Sequence, residues 1–314
     1  TDLCLTWGLE KFKSANFDSI IGFGGGSSMD LAKAISAMSI NQGHVRKYKA
    51  PAQVNHRGVP VILIPTTGGT GSELTSWCVI TDTQMTEKYN LSGMAFLATA
   101  AIIDWEFTLT KPARLTADTA IDSLTHAIEA YVGKKSSPYT DMFALASIPL
   151  ITANIRKAFN DPDDANSRAS LMLGASKAGF AFSNASVALV HGMSRPIGAH
   201  FHVAHGLSNA ILLPTVTKFS INHAPSRYAD CARAASWAKP DDSDTKACMK
   251  LVEGLVQLNQ DVRVPSLEKQ GHSKTEYDKK IPLMAAQALA SGSPQNNPRV
   301  PNVDEIMKLY EEIW

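Results

Sequence analysis

The spacing of apolar residues changes once along this chain, near Pro112, and no other feature restricts its fold as strongly. Up to Lys111, short apolar runs bounded by turn residues alternate with helical stretches. Residues 19–23, 59–64 and 100–103 read as buried parallel strands. Between the first two a helix begins near Ser28, with Leu31, Ala34, Ile35 and Met38 at helical spacing. This is βαβ organisation. Beyond Pro112 the strands stop and helical periodicity takes over, at 116–131, 140–159 and 167–182, then near 245–258, 275–290 and 303–313. Asn302 stands before the last as an N-cap, and 239–246 and 291–302 read as loops. The expectation is an α/β unit over residues 1–112 followed by an all-helical unit over 113–314.

The first strand runs through IIGFGGGSSMD, residues 20–30, into a helix start. Successive glycines let the backbone bend tightly and approach a ligand, and the free amides of a helix N-terminus attract phosphate. The spacing is GxGGG, not the GxGxxG of the dinucleotide fingerprint, so the context carries more weight than the pattern. A second loop, PTTGGTGSE at 65–73, follows the next strand, again at the carboxyl end where ligands of α/β sheets bind. Its threonines either touch a cofactor or close turns through their own hydroxyls.

In the helical part, Asp122 and His126 lie four apart and point at one spot. Four of the nine histidines fall within HGMSRPIGAHFHVAH, residues 191–205, and supply candidate nitrogen ligands. His191 and His205 cannot reach one ion from a continuous helix, because their separation at ~1.5 Å rise is about 21 Å. The chain must therefore turn between them, and Pro196 and Gly198 are the expected break, with Gly206 bending the backbone after the second ligand. One carboxylate and three imidazoles leave a divalent ion with a net charge of about +1 and room for an exogenous oxygen.

Composition narrows the partners. With 30 basic and 29 acidic side chains the net charge is +1, so no nucleic-acid or membrane-surface partner is expected and a small molecule is. The longest apolar run, 94–103, falls short of the ~20 residues of a spanning helix. Cys4, Cys78, Cys231 and Cys248 are scattered and form no CxxC pair, which fits a reducing, cytoplasmic setting. Residue 1 is threonine, so a preceding segment is expected.

The loop GGGSSMDLAK (24–33), the stretch PTTGGTGSE (65–73), the helix DSLTHAIEAY (122–131), the pair VHGM and AHG (190–193 and 204–206) and the closing NPR (297–299) together resemble the iron-containing, group III alcohol dehydrogenases. The resemblance covers essentially the whole chain. It implies an N-terminal dinucleotide-binding α/β domain, here lacking its first βα units, and an all-helical metal-binding domain. It carries over Asp122, His126, His191 and His205 as metal ligands, and Gly25, Gly26, Ser27, Thr66, Thr67 and Thr70 as cofactor contacts, with Lys88 as a further one. The implied reaction is hydride transfer between a metal-bound alkoxide and the nicotinamide of NAD or NADP, with Fe2+ as the metal and Zn2+ as its alternative. A small alcohol, aldehyde or diol would be the substrate, and a homo-oligomer is expected.

Two departures stand out. The family carries a histidine four residues after the first of the late pair, where this chain has Arg195. Arginine cannot act as a proton relay near neutral pH, so Arg195 is expected to fix an anionic or polar substrate end, with His202 moving protons. The family also begins with further βα units that hold the acidic group for the adenosine ribose, so NAD and NADP are not told apart. Two other readings compete: a dehydroquinate-synthase-like enzyme using NAD and zinc, and an inactive, oligomerising fragment.

Overall fold

The computed structural model describes residues 1–85 and 87–314. Helix α1 (Asp2–Lys13) leads to strand β1 (Ile20–Gly24), helix α2 (Gly26–Ile40) and strand β2 (Val61–Pro65). Strands β3 (Trp77–Asp82) and β4 (Glu87–Ser92) follow, then the short β5 (Ala100–Ala101). β1, β2 and β5 form a parallel sheet in that order, with Ile20 opposite Val61 and Ile62 opposite Ala100.

Helix α2 is buried because it has apolar residues on two sides. Met29 and Ala32 pack on Val61 and Leu63 of the sheet. Ala34, Ala37 and Met38 join Cys78, Ile80, Tyr89 and Leu91 in a second core. Those last four come from an antiparallel β3–β4 hairpin that the sequence reading did not foresee. Its signal is the alternation of Cys78 and Ile80 inward with Val79 outward, answered by Tyr89 and Leu91 on the partner strand. The outer side of β1 leaves Ile21 and Phe23 exposed, although the strands of parallel sheets are usually covered on both faces.

The rest is largely helical: α3 (Ala113–Val132), α4 (Pro138–Thr152), α5 (Ile155–Asn160), α6 (Ala165–Ala185), α7 (Leu189–Phe201), α8 (His205–Ser220), α9 (Pro225–Ala234), α10 (Asp244–Asp261), α11 (Lys274–Ala290) and α12 (Val303–Glu312). The expected helix over 140–159 is two helices, parted at Ala153 and Asn154. α12 begins at Asn302 as read, with a reciprocal cap to Glu305. No helix among the described residues is long and apolar enough to cross a membrane.

Helix α3 is the axis of this part. From Thr116 to Val132 every residue but Thr119 is buried, and neighbours α4, α6 and α8 surround it. A helix sheathed on all sides should be apolar throughout. This one buries Asp118, Asp122, His126 and Glu129, and burying ionisable groups is costly unless partners await them.

Candidate metal centre

The expected break at Pro196 and Gly198 does not occur. Helix α7 runs through Pro196 to Phe201, and the reversal falls at His202, whose backbone is left-handed (φ 54, ψ 23). Val203 and Ala204 complete the turn, and His205 opens α8. Gly206 is not a bend either. It lies in α8 where a Cβ would come within 2.4 Å of the Asp118 carbonyl oxygen, so its bare backbone lets α8 lie close against α3.

That reversal brings Asp122, His191 and His205 together, with their ligating atoms within 4.8 Å of one another. Asp122 Oδ1 is 3.6 Å from Nε2 of His191 and 3.6 Å from Nε2 of His205. Ligand atoms held about 2.1 Å from a tetrahedral ion stand about 3.4 Å apart, so the spacing suits a divalent cation. Asp122 and His191 are buried, whereas the His205 side chain is 46% exposed and forms the open side. Burial alone would raise the Asp122 carboxyl, but the imidazoles of His126, His205 and His191 hold it below the usual carboxylate range.

Glu129, two turns along α3 from Asp122, fixes the imidazole of His191. Its Oε2 lies 2.6 Å from His191 Nδ1, which leaves Nε2 to face Asp122. A carboxylate on the far nitrogen is the usual outer partner of a metal-bound histidine, setting its tautomer and raising its basicity. Burial opposes charge on His191, yet Glu129 and Asp122 together push its pKa up to about 9. Asn209 is the other neighbour. Its Nδ2 donates to Asp122 Oδ1 at 2.6 Å and stands 3.2 Å and 3.3 Å from Nε2 of His191 and His205. The amide thus uses the lone pairs a cation would use. The residues fit a metal ion in donor chemistry, spacing and outer support.

His126 stands beside this triangle rather than in it. Its ring lies between Phe182, at 4.1 Å between centroids, and His191, at 4.5 Å, and its Nδ1 is buried with no hydrogen-bond partner. Burial pushes its pKa down to about 3, which keeps the ring neutral and able to ligate. Arg195 follows His191 by one helical turn and donates to Ser293 Oγ at 3.0 Å. Desolvation by the surrounding protein pulls the pKa of half-exposed His205 down to about 4, with Asp122 opposing and the charges of His191, Arg195 and exposed Lys88 adding to the fall. His202 is exposed at the turn, and His200 bonds Gln287 Oε1 at 2.8 Å on the surface.

The two glycine-rich loops meet at the carboxyl ends of β1 and β2, where Thr66 N–H donates to the Gly24 carbonyl at 2.9 Å. Gly25 is the N-cap of α2 and offers no side chain to the first-turn amides of that helix, of which Ser28 N–H bonds the Gly25 carbonyl at 3.1 Å. A Cβ on Gly25 would lie 3.1 Å from Thr67 Cγ2, and one on Gly26 would lie 3.0 Å from Thr70 Cγ2. Gly25, Gly26, Thr67 and Thr70 are therefore neighbours, with Ser27 in the first turn of α2 and Thr66 at the end of β2. Glycines 69 and 71 do something else. A Cβ on Gly71 (φ 60) would come within 2.4 Å of Gly179 Cα, and one on Gly69 within 2.5 Å of Thr119 Cβ. They let the loop press against α6 and α3.

Comparison with known proteins identifies the family. Residues 4–105 match the profile of the iron-containing alcohol dehydrogenases, and residues 116–314 match that of the C-terminal part of the Fe-containing alcohol dehydrogenase family. The NAD-dependent methanol dehydrogenase of Bacillus methanolicus is 35% identical over 97% of this chain and 79% of its own length. The 1-propanol dehydrogenase of Salmonella typhimurium is 36% identical over 98% of this chain and 80% of its own. The crystal structure of a 1,3-propanediol oxidoreductase superposes with a TM-score of 0.96 at 32% identity, covering 100% of this chain and 81% of that one. These relatives favour neither a dehydroquinate synthase nor an inactive fragment. The chain belongs to the iron-containing alcohol dehydrogenase family, with an α/β N-terminal part and a largely helical C-terminal part, and is an NAD(P)-linked oxidoreductase acting on CH–OH groups.

Proposed function

We propose that Asp122, His191 and His205, completed by His126, hold one divalent ion beside a nicotinamide cofactor whose diphosphate rests on the loops at Gly25 to Ser27 and Thr66 to Thr70. The observation that carries this is the Asp122–His191–His205 triangle, buried at Asp122 and His191 and open at His205, with 3.6 Å spacings from Asp122 Oδ1 and an outer carboxylate on His191. When bound, the ion supplies Lewis acidity to the oxygen of a small alcohol, diol or aldehyde and NAD or NADP carries the hydride. Ferrous iron is the metal we assign, with zinc equally suited to the donor set.

The protein's own residues then have distinct tasks. Glu129 orients His191, and neutral His126 and His205 keep their lone pairs for the site. Lys88 and Arg195 add positive charge beside His205. Arg195 has no carboxylate within ion-pair distance among the described residues, which supports a role in holding a polar or anionic end of the substrate. His202, exposed three residues before His205, is assigned proton exchange with solvent. We place the division between the two parts at residues 112 and 113, where Pro112 caps α3. The four cysteines are free, in keeping with a reducing, cytoplasmic setting.

Metal analysis coupled to a panel of alcohols, diols, hydroxy acids and aldehydes tests the proposal. His205→Ala should lose most of its metal and nearly all turnover, and Arg195→Ala should raise KM for hydroxy acids and diols far more than for simple alkanols. Full metal occupancy in His205→Ala would remove the ligand assignment. An equal effect of Arg195→Ala on every substrate would remove the substrate-holding role.

A further inference from the structure

Behind the loop that follows β2 lies a small cavity of about 10 Å³, bordered by Thr67, Gly68, Lys111, Thr116, Arg168 and Met172. That is room for one water-sized body. Its lining is unusual in charge. Arg168 is 2% exposed, and its guanidinium donates from Nε to the Pro162 carbonyl at 2.8 Å and from Nη1 to Thr116 Oγ1 at 2.7 Å. Nη2 of the same group is buried and has no partner among the described residues. Lys111 Nζ donates to Thr119 Oγ1 at 2.8 Å and to the Thr67 carbonyl. Thr67 Oγ1 is also buried with no partner among the described residues.

Among the described residues neither cation has a carboxylate within ion-pair distance. The nearest acid on α3, Asp118, is engaged by Arg114 at 2.7 Å. Two basic side chains therefore border one cavity with every protein acceptor neutral, the guanidinium always charged and the lysine charged when protonated. Burying charge in this way is costly unless a counter-charge accompanies it. The orphaned Nη2 and Thr67 hydroxyl are donors, as is the ammonium, so an occupant should be an acceptor. A water molecule would satisfy the hydrogen bonds but leave the guanidinium, and the lysine whenever it is protonated, uncompensated.

We propose that the Lys111–Arg168 cavity is a binding site for one small inorganic anion of halide size, held by Arg168 Nη2, Lys111 Nζ and Thr67 Oγ1. The site sits at the back of the loop whose front, at Thr67 and Thr70, meets Gly25 and Gly26. Its occupant would tie that loop to α3 and α6 without entering the metal site.

The test is thermal unfolding of the full chain in sodium gluconate, chloride and bromide at one ionic strength, since gluconate is too large for the cavity. Chloride and bromide should raise Tm saturably, by about 5 °C once the halide exceeds its dissociation constant about hundredfold, and gluconate should not. Lys111→Met should abolish the saturable response. Arg168→Gln should do the same if it folds, and the lysine variant decides the matter if it does not. A crystal soaked in bromide should show an anomalous peak in the cavity. Equal Tm in all three salts with no anomalous peak would mean water fills the site and would overturn the proposal. Loss of the bromide peak on adding NAD(P) would assign the cations to a cofactor phosphate and overturn it equally.

Discussion

Replacing Glu129 by glutamine changes one atom and should cost most of the metal affinity, for reasons the hydrogen bonds make explicit. Helix α7 has Ala188 at its N-cap, and no side chain of its own caps it. Glu129 does so from α3: Oε1 accepts from the N–H groups of Val190 at 2.7 Å and His191 at 3.4 Å, while Oε2 takes the His191 Nδ1 proton. A glutamine has a single carbonyl oxygen. If that oxygen stays on the backbone amides, its NH2 faces Nδ1, which must then accept. The ring proton moves to Nε2 and points at Asp122, so the lone pair a metal needs is gone. If the amide flips, its NH2 opposes the Val190 N–H, donor against donor.

Either outcome forfeits a hydrogen bond to a charged group, which contributes about 1.5–3 kcal/mol. At about 1.4 kcal/mol per decade that is roughly a 10- to 100-fold weaker ion, the range typical of outer partners of metal ligands. The assay is competition for zinc against a coloured chelator, with unfolding of the chelator-treated protein as a check on integrity. A folded Glu129→Gln protein with the parent's dissociation constant would refute the reasoning, because His191 would then be oriented by something other than Glu129.

Asn209→Ala removes an amide nitrogen that stands against all three atoms the incoming ion needs, so metal affinity should hold or rise while the metal-free protein unfolds at lower temperature. Weaker metal binding with unchanged metal-free stability would instead make Asn209 a support of the loaded site. Lys111 gives a pH signature: its enclosure, reinforced by Arg168 on α6 and opposed by Asp118 on α3, pulls its pKa down to about 7 from 10.5. Between those values the folded chain has shed a proton that the unfolded chain keeps. Stability therefore rises with pH in halide-free buffer, by at most about 1.4 kcal/mol per unit. Denaturant titrations of parent and Lys111→Met across that window measure the difference, and parallel pH curves would show that Lys111 is normally solvated.

The βαβ start, α3, α4, α6 and α10 to α12 were legible because each repeats a spacing or follows a known loop chemistry, and the Asp122–His126 spacing with the histidine cluster marked the ligand candidates. The β3–β4 hairpin was not, since its alternation is carried by few inward residues, Cys78, Ile80, Tyr89 and Leu91. Helices α7, α8 and α9 were hidden by prolines. Pro196 and Pro214 lie inside helices that continue around them, and Pro225 opens one, so punctuation that usually ends a helix misplaced the reversal by several residues. The turn came to rest at His202, one of the few non-glycine residue types enriched in the left-handed region, but without the glycine that usually marks such a turn. Glu129 had a signal that went unread: it lies seven residues from Asp122 and three from His126, on one stripe of a helix. Asn209, four after His205, had the same kind of signal.

The loop at residues 65–73 shows why glycine patterns are ambiguous about function. Gly25 and Gly26 leave space where two loops and a helix start converge, as a phosphate site requires. Gly69 and Gly71 serve geometry between the two parts of the molecule. Gly71 and Gly179 need each other's missing side chain, for a Cβ on Gly71 would lie 2.4 Å from Gly179 Cα and one on Gly179 would lie 2.7 Å from Gly71 Cα. Ser123, next to Asp122, donates to the Gly69 carbonyl at 3.1 Å, so a loop proposed to hold the cofactor is bonded to the helix that carries the proposed metal carboxylate. A methyl at either close contact would shift the loop by about 1 Å against α3 and α6, a displacement able to cost about a hundredfold in a reaction that depends on alignment. Conformational freedom explains only the positive φ at Gly71. Close approach explains why its partner in α6, an ordinary helical position, is glycine as well.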